Sequence, residues 1–178
     1  AISCSTEQLI AAGRLHDQYP GTYIQTHLSE NKDEIDSTLS LCPDCQDYLE
    51  VYERARLVTD RSIFGHCIHL SDSECRRLVE AGSVVAHCPT SNLFLGSGLF
   101  DMQQANRVGM QTVLATDIGA GTSFSMLRTM GEAYKVQQLG GYPMSVFESL
   151  YKCTLGAAKA LHLDDEIGCF GKGRKADF

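Results

Sequence analysis

The stretch SIFGHCIHLSDSECRRLVEAGSVVAHC, residues 62–88, decides the fold class. It opens and closes with short apolar runs of the kind that form strands buried on both faces of a parallel sheet. Between these runs, Ser71 and Glu74 are spaced as a capping box, and Gly82 stands where the helix that begins there would end. The stretch therefore predicts a strand, a helix and a second strand in succession.

The same alternation of strand and helix continues over the rest of the chain. We expect four strands, at 22–27, 62–67, 83–88 and 112–117. We expect helices at 6–19, 71–81, 100–108, 123–139 and 145–161. Strands that alternate with helices indicate βαβ units, so the predicted fold class is α/β with a parallel sheet.

Composition and charge narrow the class of protein. Of the 178 residues, 43% are apolar and 21% are charged, which is ordinary for a globular domain. The net charge of −7, without long basic runs, argues against nucleic acid or an anionic membrane surface as a partner. No apolar run approaches the roughly 20 residues of a membrane span, and the first ten residues do not have the pattern of a signal peptide.

The eight cysteines favour a reducing compartment over a disulfide framework. Cys67 and Cys88 lie in apolar, strand-like runs, where buried free thiols are common. Since no secretory signal is recognisable, the chain is expected in the cytoplasm with reduced thiols. Cys42 and Cys45 have the spacing of half a zinc knuckle, but no second pair accompanies them, so a structural zinc there is the weaker interpretation.

Residues able to bind a metal or move a proton stand at the ends of all four predicted strands. They are His27, His66, His87 and Asp117. The carboxyl ends of parallel strands meet at one edge of a sheet, where α/β enzymes build their sites. One such histidine is usually a core residue, whereas four such ends in a row indicate a catalytic metal site. Glu30, three residues after His27, could move a proton there.

Two of these positions also have plainer explanations. The acidic residues that follow His27 suit the first turn of a helix capped by Ser29. His87 could equally be a packed residue at the rim of the site. Both alternatives stay open on the sequence.

Four sequence strings and the closing stretch carry a resemblance to a known family. The strings are THLSEN at 26–31, GHCIHLS at 65–71, AHCPTSNLFLGSG at 86–98 and TDIGAGTSFSML at 116–127, and the chain closes on DDEIGCFGKGRKADF. Over essentially its whole length the chain resembles the amidohydrolase superfamily of metal-dependent (β/α)8 TIM barrels, and within it the branch that deaminates guanine. The resemblance implies hydrolytic deamination of guanine to xanthine and ammonia by a metal-bound hydroxide.

The resemblance also implies roles for individual residues. His27 and Asp117 are expected to bind one zinc ion per subunit, with iron as the alternative metal. Glu30, His66 and Asp117 are expected to be catalytic, with Glu30 moving protons and His66 orienting the water or serving as a further ligand. The residues expected to contact guanine are His27, Leu28, Ser29, Glu30 and Asp117.

The chain departs from the family pattern in one respect. The H-x-H metal motif that the family carries at the end of its first strand does not occur in the sequence. We therefore expect residues 1–165 to form strands five to eight of a barrel, without its N-terminal half, and 166–178 to begin the return into a small β-domain. A whole barrel needs about 250 residues, so this fragment alone is expected to be inactive. The family also implies a homodimer of the full-length protein.

Two alternatives to guanine deamination remain on the sequence. One is another reaction of the same superfamily, a deamination or dechlorination of a different purine, a pyrimidine or a triazine. The other is an inactive fragment or binding module, because only half of the metal ligands are present. A deaminase of the cytidine type does not fit, since its H-x-E and P-C-x-x-C signature does not occur.

Overall fold

The computed structural model describes residues 1–175, which form a four-stranded parallel sheet with helices before, between and after the strands. The strands are β1 (Ile24–Leu28), β2 (Ser62–His66), β3 (Val84–His87) and β4 (Gln111–Leu114). They are hydrogen-bonded in the order β1-β2-β3-β4, and every pairing is parallel, which confirms the predicted α/β class.

The helices are as follows. They are α1 (Thr6–Gln18), α2 (Lys32–Leu41), α3 (Tyr48–Arg54), α4 (Asp72–Glu80), α5 (Pro89–Leu95), α6 (Met102–Val108), α7 (Met126–Leu139), α8 (Val146–Cys153) and α9 (Leu155–Ala160). The sequence did not predict α3 or α5. It offered a helix after His27 only as the plainer explanation of the acidic residues there; α2 is that helix, and Asn31 caps it instead of Ser29. The sequence also predicted one helix over 145–161, whereas Thr154, at φ −124° and ψ −105°, leaves the helical region and separates α8 from α9.

The predicted capping box at the start of α4 is present. Ser71 Oγ accepts a hydrogen bond from the Glu74 amide at 3.2 Å, and the Glu74 carboxylate accepts one from the Ser71 amide at 2.8 Å. Two amides that the helix leaves unpaired are thereby satisfied. The box begins α4 five residues after His66, the last residue of β2.

The two faces of the sheet pack against different partners. On one face, Leu28, Phe64, Val85 and Leu114 join the main core, which the surrounding helices complete with large side chains such as Tyr52. On the other face a smaller cluster forms; its buried members are Val84, Ala86, Val113 and Ala160. The sequence predicted burial on both faces of every strand, but along β1 exposed and partly buried residues alternate up to the buried Leu28. Since neighbouring side chains point to opposite faces, His27 points away from the main core.

The end of the described chain is made of turns. Residues 166–175 contain no helix or strand, and the Lys175 amide donates to the Glu166 carbonyl at 2.8 Å. Residues 176–178 lie outside the described part, so the predicted start of a β-domain over 166–178 stays a prediction. Among residues 1–175, no helix is both long enough and apolar enough to cross a membrane.

His87 is a core residue rather than a residue of the cleft. It ends β3 on the main-core face, is fully buried, and stacks on Phe100 with ring centroids 4.8 Å apart. Neither ring nitrogen has a hydrogen-bond partner among the described residues. Burial, with smaller contributions from Lys152 and His66, lowers the pKa of His87 to about 3, so its ring is neutral at pH 7.

This buried histidine should make the protein sensitive to acid. Its pKa is lower in the folded state than the ordinary value of 6.5. The unfolded chain therefore binds more protons in this interval, and stability falls as the pH is lowered from about 6.5 towards 3. Between pH 7 and pH 5 we expect His87 to account for about 2 kcal/mol of lost unfolding free energy.

The measurement is urea unfolding of the wild type and of His87→Leu at both pH values. The variant should lose about 2 kcal/mol less than the wild type between them. An identical loss in the two proteins would show that His87 does not stay neutral in the folded state.

Candidate active site

Four of the predicted residues converge at the carboxyl edge of the sheet. One ligand atom each from His27, Glu30 and His66 lies within 4.8 Å of the others. The Nε2 atom of His66 is 3.7 Å from Glu30 Oε2 and 3.9 Å from Asp117 Oδ2. Both separations exceed a hydrogen bond, so the His66 Nε2 atom and the two carboxylates surround a space rather than bind one another.

The register between β1 and β2 brings the two histidines together. Leu28 pairs with His66, and His27 pairs with Gly65. The rings of His27 and His66 then meet edge to face, with their centroids 5.0 Å apart. Tyr52 from α3 fixes the end of β1, because its hydroxyl donates to the His27 carbonyl at 2.9 Å.

The backbone is left-handed at three points around the space. Ser29 has φ +49°, His66 has φ +69° and Asp117 has φ +49°. Such conformations cost non-glycine residues roughly 1–3 kcal/mol each and cluster at functional sites. At each point the chain turns sharply at or just beyond the end of a strand, which brings the polar side chain to the edge of the sheet.

Asp117 lies three residues beyond β4 and is held by a tight turn. The Gly121 amide donates to the Asp117 carbonyl at 2.6 Å. A Cβ atom at position 121 would lie 1.7 Å from the Thr116 carbonyl oxygen, so the turn closes only around a glycine. The sequence extended this strand to Asp117, but the strand itself ends at Leu114.

Burial is graded across the site. The side chain of His66 is 1% exposed, that of Glu30 is 12% exposed and that of Asp117 is 27% exposed, while His27 is an exposed residue. His27 and Glu30 also line an open cleft of about 670 Å³. His66 is therefore the buried end of the site, and His27 is its accessible end.

Two polar residues that the sequence did not assign to the site hold its central groups. Asn92 Oδ1 lies 2.8 Å from His66 Nδ1, and both residues are buried. The Ser97 hydroxyl donates to Glu30 Oε1 at 2.9 Å. Both lie within the string AHCPTSNLFLGSG, so the string marked the place, but only the folded chain shows which atoms they contact.

Residues 28–30, which were predicted to contact a substrate, also hold the fold together. The Leu28 side chain lies in the main core, and its carbonyl accepts from the Cys67 amide at 2.9 Å. Ser29 is 1% exposed, and its carbonyl accepts from the amides of Ile68 and His69. Of the three residues from 28 to 30, only Glu30 is not fully buried, so the substrate contacts of Leu28 and Ser29 stay a prediction.

The donor atoms fit a small divalent metal. Ligands of a tetrahedral zinc ion with bonds of about 2.1 Å lie roughly 3.4 Å apart. The ligand atoms of His27, Glu30 and His66 lie within 4.8 Å of one another, so one ion could lie among them. Imidazole and carboxylate together suit zinc or iron. The thiols near the site do not compete, because burial raises the pKa of Cys88 to about 12 and that of Cys67 well above its usual value, and a protonated thiol is a poor ligand.

Comparison with known proteins assigns the chain to a family. The sequence profile of the amidohydrolase family matches residues 1–178. Guanine deaminase of Escherichia coli K12 is 51% identical over the whole chain. A solved structure of E. coli guanine deaminase superposes with a TM-score of 0.97 over 99% of this chain and 41% of that one. These neighbours have the barrel fold that the sequence implied.

Two further solved structures resemble the chain. A guanine deaminase from C. acetobutylicum, with guanine bound in its active site, is 32% identical with a TM-score of 0.87, over 96% of this chain and 42% of that one. An adenosine deaminase from Xanthomonas campestris with bound zinc is 27% identical with a TM-score of 0.88. The match covers 97% of this chain and 40% of that one.

The chain matches only part of the length of its relatives. The chain covers 40% of the length of the Escherichia coli enzyme, although that enzyme covers 100% of the chain. The family profile nevertheless spans every residue, and the fold and the convergent residues agree with it. The chain therefore belongs to the amidohydrolase family.

Proposed function

We propose that the protein containing this chain hydrolyses guanine to xanthine and ammonia, with one zinc ion per subunit. The observation that carries hydrolysis is the convergence of His27, Glu30 and His66 within 4.8 Å, with Asp117 beside them. The choice of guanine is supported by 51% identity to a guanine deaminase over the whole chain.

His27 and Asp117 are the proposed zinc ligands from this chain. Both lie at the carboxyl edge of the sheet, and His27 is open to the cleft. When bound, zinc would supply a water nucleophile at neutral pH. The relative from Xanthomonas campestris that holds zinc supports the choice of metal.

Glu30 is the proposed proton carrier. Its Oε1 atom accepts a hydrogen bond from the Ser97 hydroxyl, so Oε2 is the more available oxygen to take a proton from water and return it to a ring nitrogen of guanine. Oε2 also faces His66 at 3.7 Å, across the space where water and substrate would meet. A carboxylate with one oxygen held and one free is suited to proton transfer in a fixed direction.

His66 and Asp117 are proposed to act on the same water from the other side. His66 Nε2 and Asp117 Oδ2 are 3.9 Å apart, and both face the space beside Glu30. His66 would orient the water, and Asp117 would hold it and then help protonate the departing amine. Because His66 is almost fully buried, its contact is shielded from bulk solvent and is correspondingly stronger.

The remaining parts of the proposal concern the whole protein. Guanine is the proposed small-molecule partner, and neither nucleic acid nor a membrane is part of the proposal. A homodimer and a cytoplasmic location stay predictions from the family and from the sequence.

The substrate proposal is tested by a panel of substrates with the zinc-loaded full-length protein. We expect kcat/KM for guanine to exceed that for adenosine, cytosine and a chlorotriazine by at least about 100-fold, because a site that pairs with polar groups rejects analogues lacking them. Adenosine is the critical comparison, since the related adenosine deaminase shares the fold at 27% identity. A higher value for any other member of the panel would replace guanine as the substrate.

The role of Glu30 is tested by Glu30→Gln. The amide keeps the shape of the side chain but cannot take up a proton, so kcat should fall by roughly 10²–10⁴-fold. Zinc content and melting temperature should not change. Glu80→Gln on the exposed end of α4 is the matched control and should keep wild-type turnover. Turnover within threefold of the wild type in Glu30→Gln would remove Glu30 from the mechanism.

The metal site is tested by His27→Ala in the full-length protein. Loss of a ligand should lower zinc content from about one ion per subunit to well below half after dialysis, measured by atomic emission. His16→Ala on α1, which removes a half-buried histidine, is the control and should keep its zinc. Full zinc content in His27→Ala would show that this residue is not a ligand.

A further inference from the structure

Helix α5 and the turn after it contact the proposed proton carrier and the buried histidine at once. Asn92, inside the helix, contacts His66, and Ser97, just beyond the helix, contacts Glu30. Asn92 is 1% exposed and Ser97 is 8% exposed. Through these contacts, the two side chains can act on the space between the carboxylates and His66 Nε2 by way of the residues they hold.

The contact of Asn92 determines which ring nitrogen of His66 carries the proton. A neutral imidazole has one N–H donor and one acceptor nitrogen. Oδ1 of Asn92 can only accept, so its 2.8 Å contact with Nδ1 requires that Nδ1 carry the hydrogen. His66 Nε2 then presents a lone pair to the space beside Glu30 and Asp117, where it can accept a hydrogen bond from water.

The other atoms of this buried amide support a positioning role. Among the described residues, Asn92 Nδ2 is buried without a hydrogen-bond partner. A buried polar atom left unpaired costs about 1–3 kcal/mol, so an asparagine is a poor choice here for stability alone. Its carbonyl oxygen, aimed at His66, is the part of the side chain that the structure uses.

Ser97 orients Glu30 in the same manner. A hydroxyl donates to Oε1, so the carboxylate is held with Oε2 towards His66. The Ser97 backbone is fixed as well, because its carbonyl oxygen accepts from His69 Nε2 at 3.0 Å. A carbonyl oxygen cannot donate, so His69 carries its proton on Nε2.

The two contacts belong to one rigid unit. The Ser97 amide donates to the Asn92 carbonyl at 2.9 Å, which ties the end of the turn back to the helix. Gly96 ends α5 with φ +70°, a left-handed conformation that glycine adopts without strain. The distance between the two side chains is therefore set by the backbone of residues 92–97.

We propose that residues 92–97 form a positioning clamp in which Asn92 fixes His66 as the Nδ1–H tautomer and Ser97 aims Glu30 Oε2 at the same space. The proposal rests on the proposed function, because it assigns Asn92 and Ser97 a purpose through Glu30 and His66. Neither is a catalytic residue, since neither touches the reacting atoms.

The tautomer is tested directly by NMR on full-length, metal-free protein labelled with 15N-histidine. Long-range 1H–15N spectra at a pH where the ring is neutral distinguish a protonated Nδ1 from a protonated Nε2. The His66 signals are assigned by their absence from His66→Gln. We expect Nδ1–H in the wild type and in Asn92→Asp, which keeps an acceptor, and a mixture of tautomers in Asn92→Leu. Nε2–H in the wild type, or an unchanged Nδ1–H signal in Asn92→Leu, would overturn the assignment.

Kinetics test the clamp separately from the tautomer. With zinc-loaded protein, Asn92→Leu and Ser97→Ala should each lower kcat for guanine by about 10–100-fold, with KM within about threefold of the wild type. Ser97→Thr restores the hydroxyl and should recover most of the lost kcat. Ser91→Ala is the matched control, because Ser91 is a fully buried α5 residue whose hydroxyl has no partner within residues 1–175. A loss of kcat in Ser91→Ala equal to that in Asn92→Leu, or no recovery of kcat in Ser97→Thr, would overturn the positioning role. The effects would then be those of general packing.

Failure of this proposal is distinguishable from failure of the proposed function. If the wild type does not deaminate guanine, the NMR result still decides whether Asn92 fixes His66. If the wild type is active but the tautomer and kcat do not respond to Asn92→Leu, the clamp is wrong while the reaction stands.

Discussion

The parallel register between β1 and β2 is the constraint on which the site depends. It places Leu28 opposite His66 and His27 opposite Gly65. A slip of one residue would move every side chain of β1 to the other face of the sheet. His27 would then point into the main core, and Leu28 would occupy the cleft. Burial of Leu28 in the main core therefore does as much for the site as any polar contact, because it excludes that slip.

Strained backbone and an unpaired polar atom lie close to the site. Ser29, His66 and Asp117 adopt left-handed backbone, and the amide of Asn92 is only half used. Each of these lowers the free energy of unfolding. The capping box of α4 and the main core raise it and so offset part of that loss. Strain at strand ends, with regular structure behind them, is the pattern expected when a scaffold holds reactive groups in fixed geometry.

The sequence predicted the sheet well because its signals are local. Four apolar runs and the Ser71–Glu74 spacing are visible without tertiary information, and all of them correspond to real elements. Convergence of His27, His66 and Asp117 followed from the rule that parallel strands end at one edge. His87 obeyed the same rule in sequence but points into the core. By register His66 and His87 end their strands on the same face, but the backbone of His66 is left-handed, at φ +69°, and that of His87 is not.

Other features could not be predicted because they depend on contacts between distant residues. Helices α3 and α5 have seven residues each, which is less than two turns, so they offer little apolar periodicity. Helix α2 has ten residues and was indicated only by the acidic cluster after His27. The break at Thr154 interrupts a pattern that reads as one helix. The contact of Asn92 with His66 spans 26 residues and that of Ser97 with Glu30 spans 67, and nothing in the local pattern announces either.

The backbone bond between Asn92 and Ser97 has a consequence for how this family can diverge. Between them stand four residues, Leu93, Phe94, Leu95 and Gly96. Their number is constrained, because an insertion or deletion would break one of the two side-chain contacts while leaving the other. Over evolutionary time this segment should hardly vary in length.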